Sequence, residues 1–372
     1  MTSEERRRAR DLGIRIGRLE PGRWNAITDV PGVRVGHTTL ISGDGPLVVG
    51  QGPVRTGVTV IIPHERIASE PVFAGYHQFN GNGEMTGIAW IEESGFLTSP
   101  IAITNTHSVG VVRDALVEYQ VRQMPSPFEP AWSLPVVAET YDGWLNDING
   151  FHVRPEHVFQ ALDSAASGPV AEGCVGGGTG MNCHEFKGGI GTSSRVLPPD
   201  RGGWTVGVLV QANYGRRHLL TIDSVPVGEE IGPDEVPTPW PRPRVDGSII
   251  IIVATDAPLL PHQCKRLAQR ATVGLARVGG NGDNGSGDLF LCFSTGNLGL
   301  VDPEDRVSPI PTRMVPNSAI NGLFDAVIEA TQEAIVNALC MATTMVGIEG
   351  RTSYAIPLDR LQEVMRRYGR LK

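Results

Sequence analysis

"PRPRVDGSIIIIVATDAP", residues 241–258, runs from a proline-dense approach straight into one of the most apolar segments of the chain. Pro241 and Pro243 have no N–H to give a ladder, so the approach is not strand. The segment from Ser248 onward is a strand, and its β-branched residues alternate onto both faces. A strand that is apolar on both faces needs cover on both sides, which places it in the middle of a layered fold. Helices predicted elsewhere supply that cover. The expected architecture is mixed α/β, a sandwich whose sheets are covered by helices.

Working outward, residues 55–63, 188–197, 204–215 and 288–297 read as further strands. Residues 24–37 read as a strand pair around Pro31-Gly32. Residues 88–106 are strand-like at both ends, and 74–87 form a glycine- and asparagine-rich loop. The stretch 131–147 carries a strand into the polar end Glu139-Thr140-Tyr141-Asp142. Apolar residues at helical spacing predict helices over 108–123, 155–167, 261–279, 321–344 and 357–369. Residues 223–244 form a polar, proline-rich connector, expected to be mobile and to mark the main break in one domain spanning 1–372.

Of the 372 residues, 40% are hydrophobic and 19% charged, with a net charge of −8. That balance argues against nucleic acid or a membrane as the main partner and favours a small or peptide-like substrate. The charged start lacks an apolar signal core, and no stretch approaches the roughly 18–20 apolar residues of a membrane span, so a cytoplasmic protein is expected. The five cysteines form no C-x-x-C pair. Reduced thiols are expected, not a disulfide framework or zinc ribbon.

The familiar site motifs fail in context. "GNGDNG" (280–285) fits G-x-G-x-x-G but follows a helix and precedes a strand, the reverse of what a dinucleotide site needs. There is no P-loop, no H-E-x-x-H and no G-x-S-x-G elbow. Cys183-His184-Glu185 is contiguous and cannot converge on one ion from a regular strand. Neither metal nor cofactor is expected.

Ser248 offers another route. An N-terminal serine can use its own α-amino group as general base, since that amine has an intrinsic pKa of about 7.7–8.0. The chain must first be cut between Gly247 and Ser248. Gly247 suits such a cut, because without a Cβ the peptide can strain and admit Ser248 Oγ to its carbonyl. On local sequence alone, an Asp-Gly turn with a serine heading a strand explains the same residues.

Five stretches, in order and over nearly the whole length, break the tie: "NAITDVPGVRVGH" (25–37), "GTGMNCHEFKGGIGTSSR" (178–195), "VGVLVQANYG" (206–215), "VDGSIIIIVATDAPL" (245–259) and "NGSGDLFLCFSTGN" (284–297). They resemble the DmpA-type aminopeptidases, which comprise L-aminopeptidase/D-amino-acid esterase-amidases and β-peptidyl aminopeptidases. The resemblance implies an αββα sandwich layered like the N-terminal-nucleophile hydrolases but differently connected, and a precursor that cuts itself into 1–247 and 248–372. It implies Ser248 as nucleophile and α-amino base, with Asn213 and the backbone N–H of Gly287 as oxyanion hole. Ser286 and Asp288 match a serine-x-carboxylate pair near the nucleophile, where the β-peptidyl branch has glutamate in place of Asp288. Tyr141 matches a further active-site position, and Glu139 the anion for the substrate ammonium. Taken alone, Glu139 and Tyr141 read as a solvated strand end, and Asn213 as an amide stapling a loop. The glycine-rich loops "FNGNGE" (79–84) and "GGGTGMNC" (176–183) are expected to shape the cleft.

The resemblance further implies small peptides, amino-acid amides and esters as substrates, no cofactor, and a homotetramer. Two rivals stand beside it. An acyltransferase of the ornithine acetyltransferase-like relatives uses the same chemistry, but with threonine where this chain has Ser248. A binding or scaffold protein would never be cut.

Overall fold

The computed structural model describes residues 5–123, 132–240, 246–301, 305 and 307–371. The first half supplies β1 (Arg34–Ser42), β2 (Val54–Ile62), β3 (Val72–Gly81), α1 (Ile88–Ser94), β4 (Phe96–Leu97), β5 (Ile101–Asn105), α2 (Val109–Arg122), β6 (Val136–Thr140) and α3 (Pro155–Asp163). The second supplies the hairpin β7 (Asn182–Cys183) and β8 (Phe186–Lys187), then β9 (Gly189–Val196), β10 (Thr205–Asn213), α4 (Val227–Glu230), β11 (Asp246–Thr255), α5 (Pro261–Ala276), β12 (Gly285–Ser294) and α6 (Asn321–Met341). The small hairpin β13 (Met345–Val346) and β14 (Thr352–Ser353) and helix α7 (Leu358–Arg367) close the chain.

One sheet has strand order β1-β2-β5-β6 and the other β4-β3-β12-β11-β10-β9. In the larger sheet β11 and β12 run parallel, while the other neighbours are antiparallel. The expected split of the isoleucine strand is met residue by residue. Ile249, Ile251 and Val253 face α5 and α6, whereas Ile250, Ile252 and Ala254 face the smaller sheet. Ile61, Ile101, Ile103 and Ala138 of the smaller sheet complete that middle layer. On its outer face, Val58, Val60 and Val137 pack under α2 and α3 through Val112, Leu116, Val158 and Leu162. The layers are therefore helix, sheet, sheet, helix, each sheet burying an apolar face on either side.

Four local expectations need correction. Residues 24–37 hold a single strand, because the Asp29 carboxylate accepts the N–H groups of Trp24 (2.9 Å) and Ala26 (3.1 Å) and winds Ile27–Asp29 into a 3₁₀ turn. Of residues 74–87, the first eight belong to β3, leaving only 82–87 as loop. The first half of 88–106 is helix α1, with Ile91 buried on one face and Gly95 as its left-handed cap. The connector is anchored as far as Trp240, through Val225, Val227, Ile231 and Val236 in the core beneath the larger sheet. Residues 241–245 lie outside the described part. Among the described residues no helix is long and apolar enough to cross a membrane.

Close helix-to-sheet approach depends on Gly36, Gly75 and Gly191, where a Cβ would lie 1.9–2.2 Å from helix backbone. A Cβ on Gly191 of β9 would lie 1.9 Å from the Ala334 carbonyl oxygen and 2.7 Å from the Ala338 nitrogen of α6. Both obstacles are backbone, so the helix itself would have to move. Gly191→Ala should cost about 1–3 kcal/mol of stability, the usual range for overpacking a core. A urea midpoint unchanged from wild type would show that α6 is more compliant than its contacts indicate.

Candidate active site

The ladders on either side of β11 set the site. Ser248 pairs with Asn213 of β10 and with Gly287 of β12. Its hydroxyl donates to the Gly247 carbonyl at 2.6 Å, and the Gly287 N–H points at the same Oγ at 3.3 Å. The peptide joining Gly247 and Ser248 thus has its neighbouring nucleophile against its own carbonyl, and a backbone donor aimed at that spot.

Ser248 opens into a cavity of about 270 Å³, whose walls include Asn82, Thr106, Glu139, Tyr141, Trp144, Asn182, Asn213 and Trp240. Glu139 and Tyr141 come from the end of β6, across the gap between the sheets, so the site spans both. Glu139 is no solvated strand end: it is 4% exposed, and its carboxylate accepts the Glu84 N–H (3.0 Å) and the Thr106 hydroxyl (2.5 Å). Burial pushes its pKa up, and these two hydrogen bonds oppose the rise. The stretch 79–84 meets the cleft through Asn82, just past the end of β3. A Cβ on Gly83 would sit 3.1 Å from Gly287 Cα and 3.3 Å from Glu139 Oε1, so a larger residue there would press on both by a few tenths of an ångström.

Asn213 is held at both ends of its amide. Its Oδ1 accepts the Asn182 N–H (2.8 Å), which fixes which end is oxygen, and Nδ2 donates to the Tyr141 carbonyl (2.9 Å). One N–H of Nδ2 remains for a ligand. Asn182 is itself fixed: it lies on β7, and fully buried Lys187 on β8 donates Nζ to the carbonyls of Met181 (2.6 Å) and Gly188 (2.8 Å), tying that hairpin down. Burial lowers the Lys187 pKa.

Ser286 and Asp288 reach the Gly247–Ser248 peptide from the other side. Side chains alternate along β12, and Ser286 pairs with Gly247 while Asp288 pairs with Ile249, a residue facing the helices. Both line a small pocket on the helix face that shares Tyr214, Gly215 and Gly247 with the cavity that holds Ser248. Ser286 Oγ donates to Asp288 Oδ1 at 2.7 Å. Burial raises the Asp288 pKa to about 6 against that bond. Tyr141 is 44% exposed, and its hydroxyl lies over Gly143, where a Cβ would come within 2.4 Å.

Asn182, on β7, brings the stretch 176–183 to the cavity wall, and Thr106, Trp144 and Trp240 also line the site. The last three lie outside the strands and α-helices, where no periodicity marks a residue, so only the fold reveals them. Cys183-His184-Glu185 forms the tight turn between β7 and β8, with His184 and Glu185 at positive φ and His184 Nδ1 3.0 Å from the Arg216 carbonyl. Among the described residues no group of three or more His, Cys, Asp or Glu side chains is placed to hold a metal.

The two-sheet sandwich and the serine at the head of a central strand are features of an N-terminal-nucleophile type of hydrolase. The sequence matches peptidase family S58 over residues 25–353, and the chain belongs to that family. It is 50% identical to a β-peptidyl aminopeptidase, BapA, of Sphingosinicella microcystinivorans over 99% of this chain and 94% of that protein. A β-aminopeptidase of Burkholderia sp. superposes with a TM-score of 0.90 at 55% identity, covering 98% of this chain and 99% of that one. The L-aminopeptidase D-Ala-esterase/amidase of Ochrobactrum anthropi, described as a prototype serine aminopeptidase with a variant of the N-terminal-nucleophile hydrolase fold, gives 0.89 at 46% identity over 98% and 99%.

The raised Asp288 pKa has a definite sign. A carboxyl whose folded pKa, about 6, exceeds the ordinary value near 3.9 binds its proton more tightly in the native state. Its stabilisation is therefore full below about pH 4 and is lost as pH rises through 6. In a Ser248→Ala background, which keeps cutting out of the comparison, wild-type Asp288 should lose urea stability relative to Asp288→Asn between pH 4 and 6. The difference should be level above that range. Parallel midpoints across the whole range would remove the buried-carboxyl account.

Proposed function

We propose that the chain is a self-processing serine aminopeptidase with amidase and esterase activity, cut between Gly247 and Ser248. The contact of Ser248 Oγ with the Gly247 carbonyl, 2.6 Å to its oxygen, carries this reading. In the first step Oγ attacks that carbonyl carbon, the C–N bond breaks and the acyl group passes to oxygen, freeing the Ser248 amine. Water then hydrolyses the ester, leaving a carboxylate on Gly247 and a free hydroxyl on Ser248. Ser286 and Asp288 serve this step from the helix face, where they flank Gly247.

In turnover the freed amine accepts the hydroxyl proton, directly or through a neighbour such as Ser286, as Oγ attacks the carbonyl of the substrate's N-terminal residue. The remaining Asn213 N–H and the Gly287 N–H stabilise the oxyanion. Glu139 receives the substrate ammonium, and Tyr141 closes the site beside it. The amine then protonates the leaving group, and water releases the acyl group. No cofactor takes part.

Substrates are small peptides and amino-acid amides or esters, with release of N-terminal L-residues and of D-alanine-type residues. The names of the relatives favour a second reading, in which the N-terminal residue is a β-amino acid. Rates on L-, D- and β-residue amides of the same leaving group separate the two. The same proposal includes a cytoplasmic location and a homotetramer. The exposed apolar side chains of Ile41, Val49 and Val346, each 45–59% exposed, are compatible with such an assembly.

The purified chain should run as two fragments on a denaturing gel, the smaller beginning Ser-Ile-Ile-Ile. Ser248→Ala should stay whole and inactive; a full-length active enzyme of either sequence overturns the mechanism. Among processed variants, Asn213→Ala should lower kcat by about 10²–10³. Glu139→Gln should raise KM about tenfold or more through loss of a charge-assisted bond. Equal KM for the two proteins would take the ammonium away from Glu139.

A further inference from the structure

We propose that Trp240, together with Trp144, forms the wall that receives an apolar or aromatic side chain of the substrate's N-terminal residue; this rests on the aminopeptidase reading above. Both indoles line the cavity that holds Ser248. Their rings meet edge to face, with centroids 5.6 Å apart and planes at 89°. Such a pair presents a rigid apolar corner that loses little entropy on binding.

Each half of the corner is fixed from behind. The Arg351 guanidinium lies 4.3 Å from the Trp144 ring centroid and donates to the Trp144 carbonyl at 3.3 Å. The Trp144 turn is closed by the Leu145 and Asn146 N–H groups on the Asp142 carbonyl, and Asp142 is fully buried. Trp240 has its carbonyl held by the Thr238 hydroxyl at 3.0 Å, and the segment before it is rooted by buried Val236.

Position decides which part of the substrate the corner meets. Glu139 lies at the end of β6 and Trp144 in the turn that follows it, and both line the same cavity, so the wall belongs to the site of the carboxylate assigned to the ammonium. The ammonium and the first side chain belong to the same substrate residue, and a site that grips one brings the other against the indoles. A carboxylate side chain would meet apolar rings with Glu139 nearby and is disfavoured. Trp240 also lies seven residues before Gly247, in the segment leading to the scissile bond. The specificity wall is thus built in part from the approach to the cleavage site and stays with the large fragment after cutting.

The test uses Trp240→Ala and Trp240→Phe as processed enzymes. Values of kcat/KM are taken for phenylalanine amide, alanine amide and alanine p-nitroanilide, in whichever configuration wild type turns over. The phenylalanine-to-alanine amide ratio should fall about tenfold or more in Trp240→Ala, in line with the 10–200-fold that pocket contacts provide. Trp240→Phe should keep it within about threefold of wild type. An unchanged ratio overturns the proposal. So does an effect confined to the anilide-to-amide ratio, which would put Trp240 on the leaving-group side. Failure of both variants to be cut also counts against it, because Trp240 would then belong to processing. An uncut or inactive wild type would instead sink the parent reading.

Discussion

The register of β11 between its two neighbours is the constraint on which the site depends. A strand with one apolar face is held in register by that face, since a slip by one residue turns it to water. β11 has no such protection, because Ile249, Ile251 and Val253 are buried on one side and Ile250, Ile252 and Ala254 on the other. Its polar ends hold it instead. At the far end the Thr255 hydroxyl donates to the Thr205 carbonyl, and Asp256 accepts the Thr205 N–H, both at 2.7 Å. At the near end, Ser248 faces the glycine at 287 and the amide of Asn213. A slip would put an isoleucine into the narrow space beside Gly83 and Gly287.

Two carboxylates stand on opposite sides of the peptide at 247–248, and burial raises the pKa of both. Glu139 faces the open cavity and Asp288 the closed helix side. Their surroundings divide their chemistry. Glu139 accepts the Glu84 N–H and the Thr106 hydroxyl at the cavity wall, whereas Asp288 holds the Ser286 hydroxyl behind Gly247. The interior away from the site spends its charges on architecture. Arg195, with no exposure, bridges β9 to Glu329 and Glu333 of α6, and Arg10 reaches the same Glu333. Breaking such a buried set at one member leaves an uncompensated charge.

The sequence carried the layers and the central strands plainly. Doubly apolar β11 demanded cover on both faces, and the long amphipathic pattern that became α6 provided half of it. The 88–94 segment misled because seven residues hold too few turns for period 3.6 to stand apart from period 2. Residues 24–37 misled because one carboxylate, Asp29, overrode an alternating pattern by collecting local N–H groups. Within the site, Ser248, Asn213 and the Ser286-Gly287-Asp288 run were visible through resemblance, while the side of the sheet on which Ser286 and Asp288 act needed the ladder register. Trp144 and Trp240 lie in loops far apart in sequence, and nothing local marks their meeting.

The strand order of the larger sheet has a consequence for the lifetime of the protein once cut at the proposed bond. β12 and β11 are the two middle strands, with β4 and β3 on one flank and β10 and β9 on the other. Once severed at 247–248, the short piece would be a plug sandwiched inside a sheet whose edges belong to the long piece. Separation then means opening two ladders and stripping α5 and α6 from their face at once. What was a single chain finding its own partners would become a bimolecular search between two pieces, each lacking the sheet that the other completes. Native persistence would rest on the height of the unfolding barrier instead of on a reversible equilibrium, and denaturation of the severed form would run in one direction.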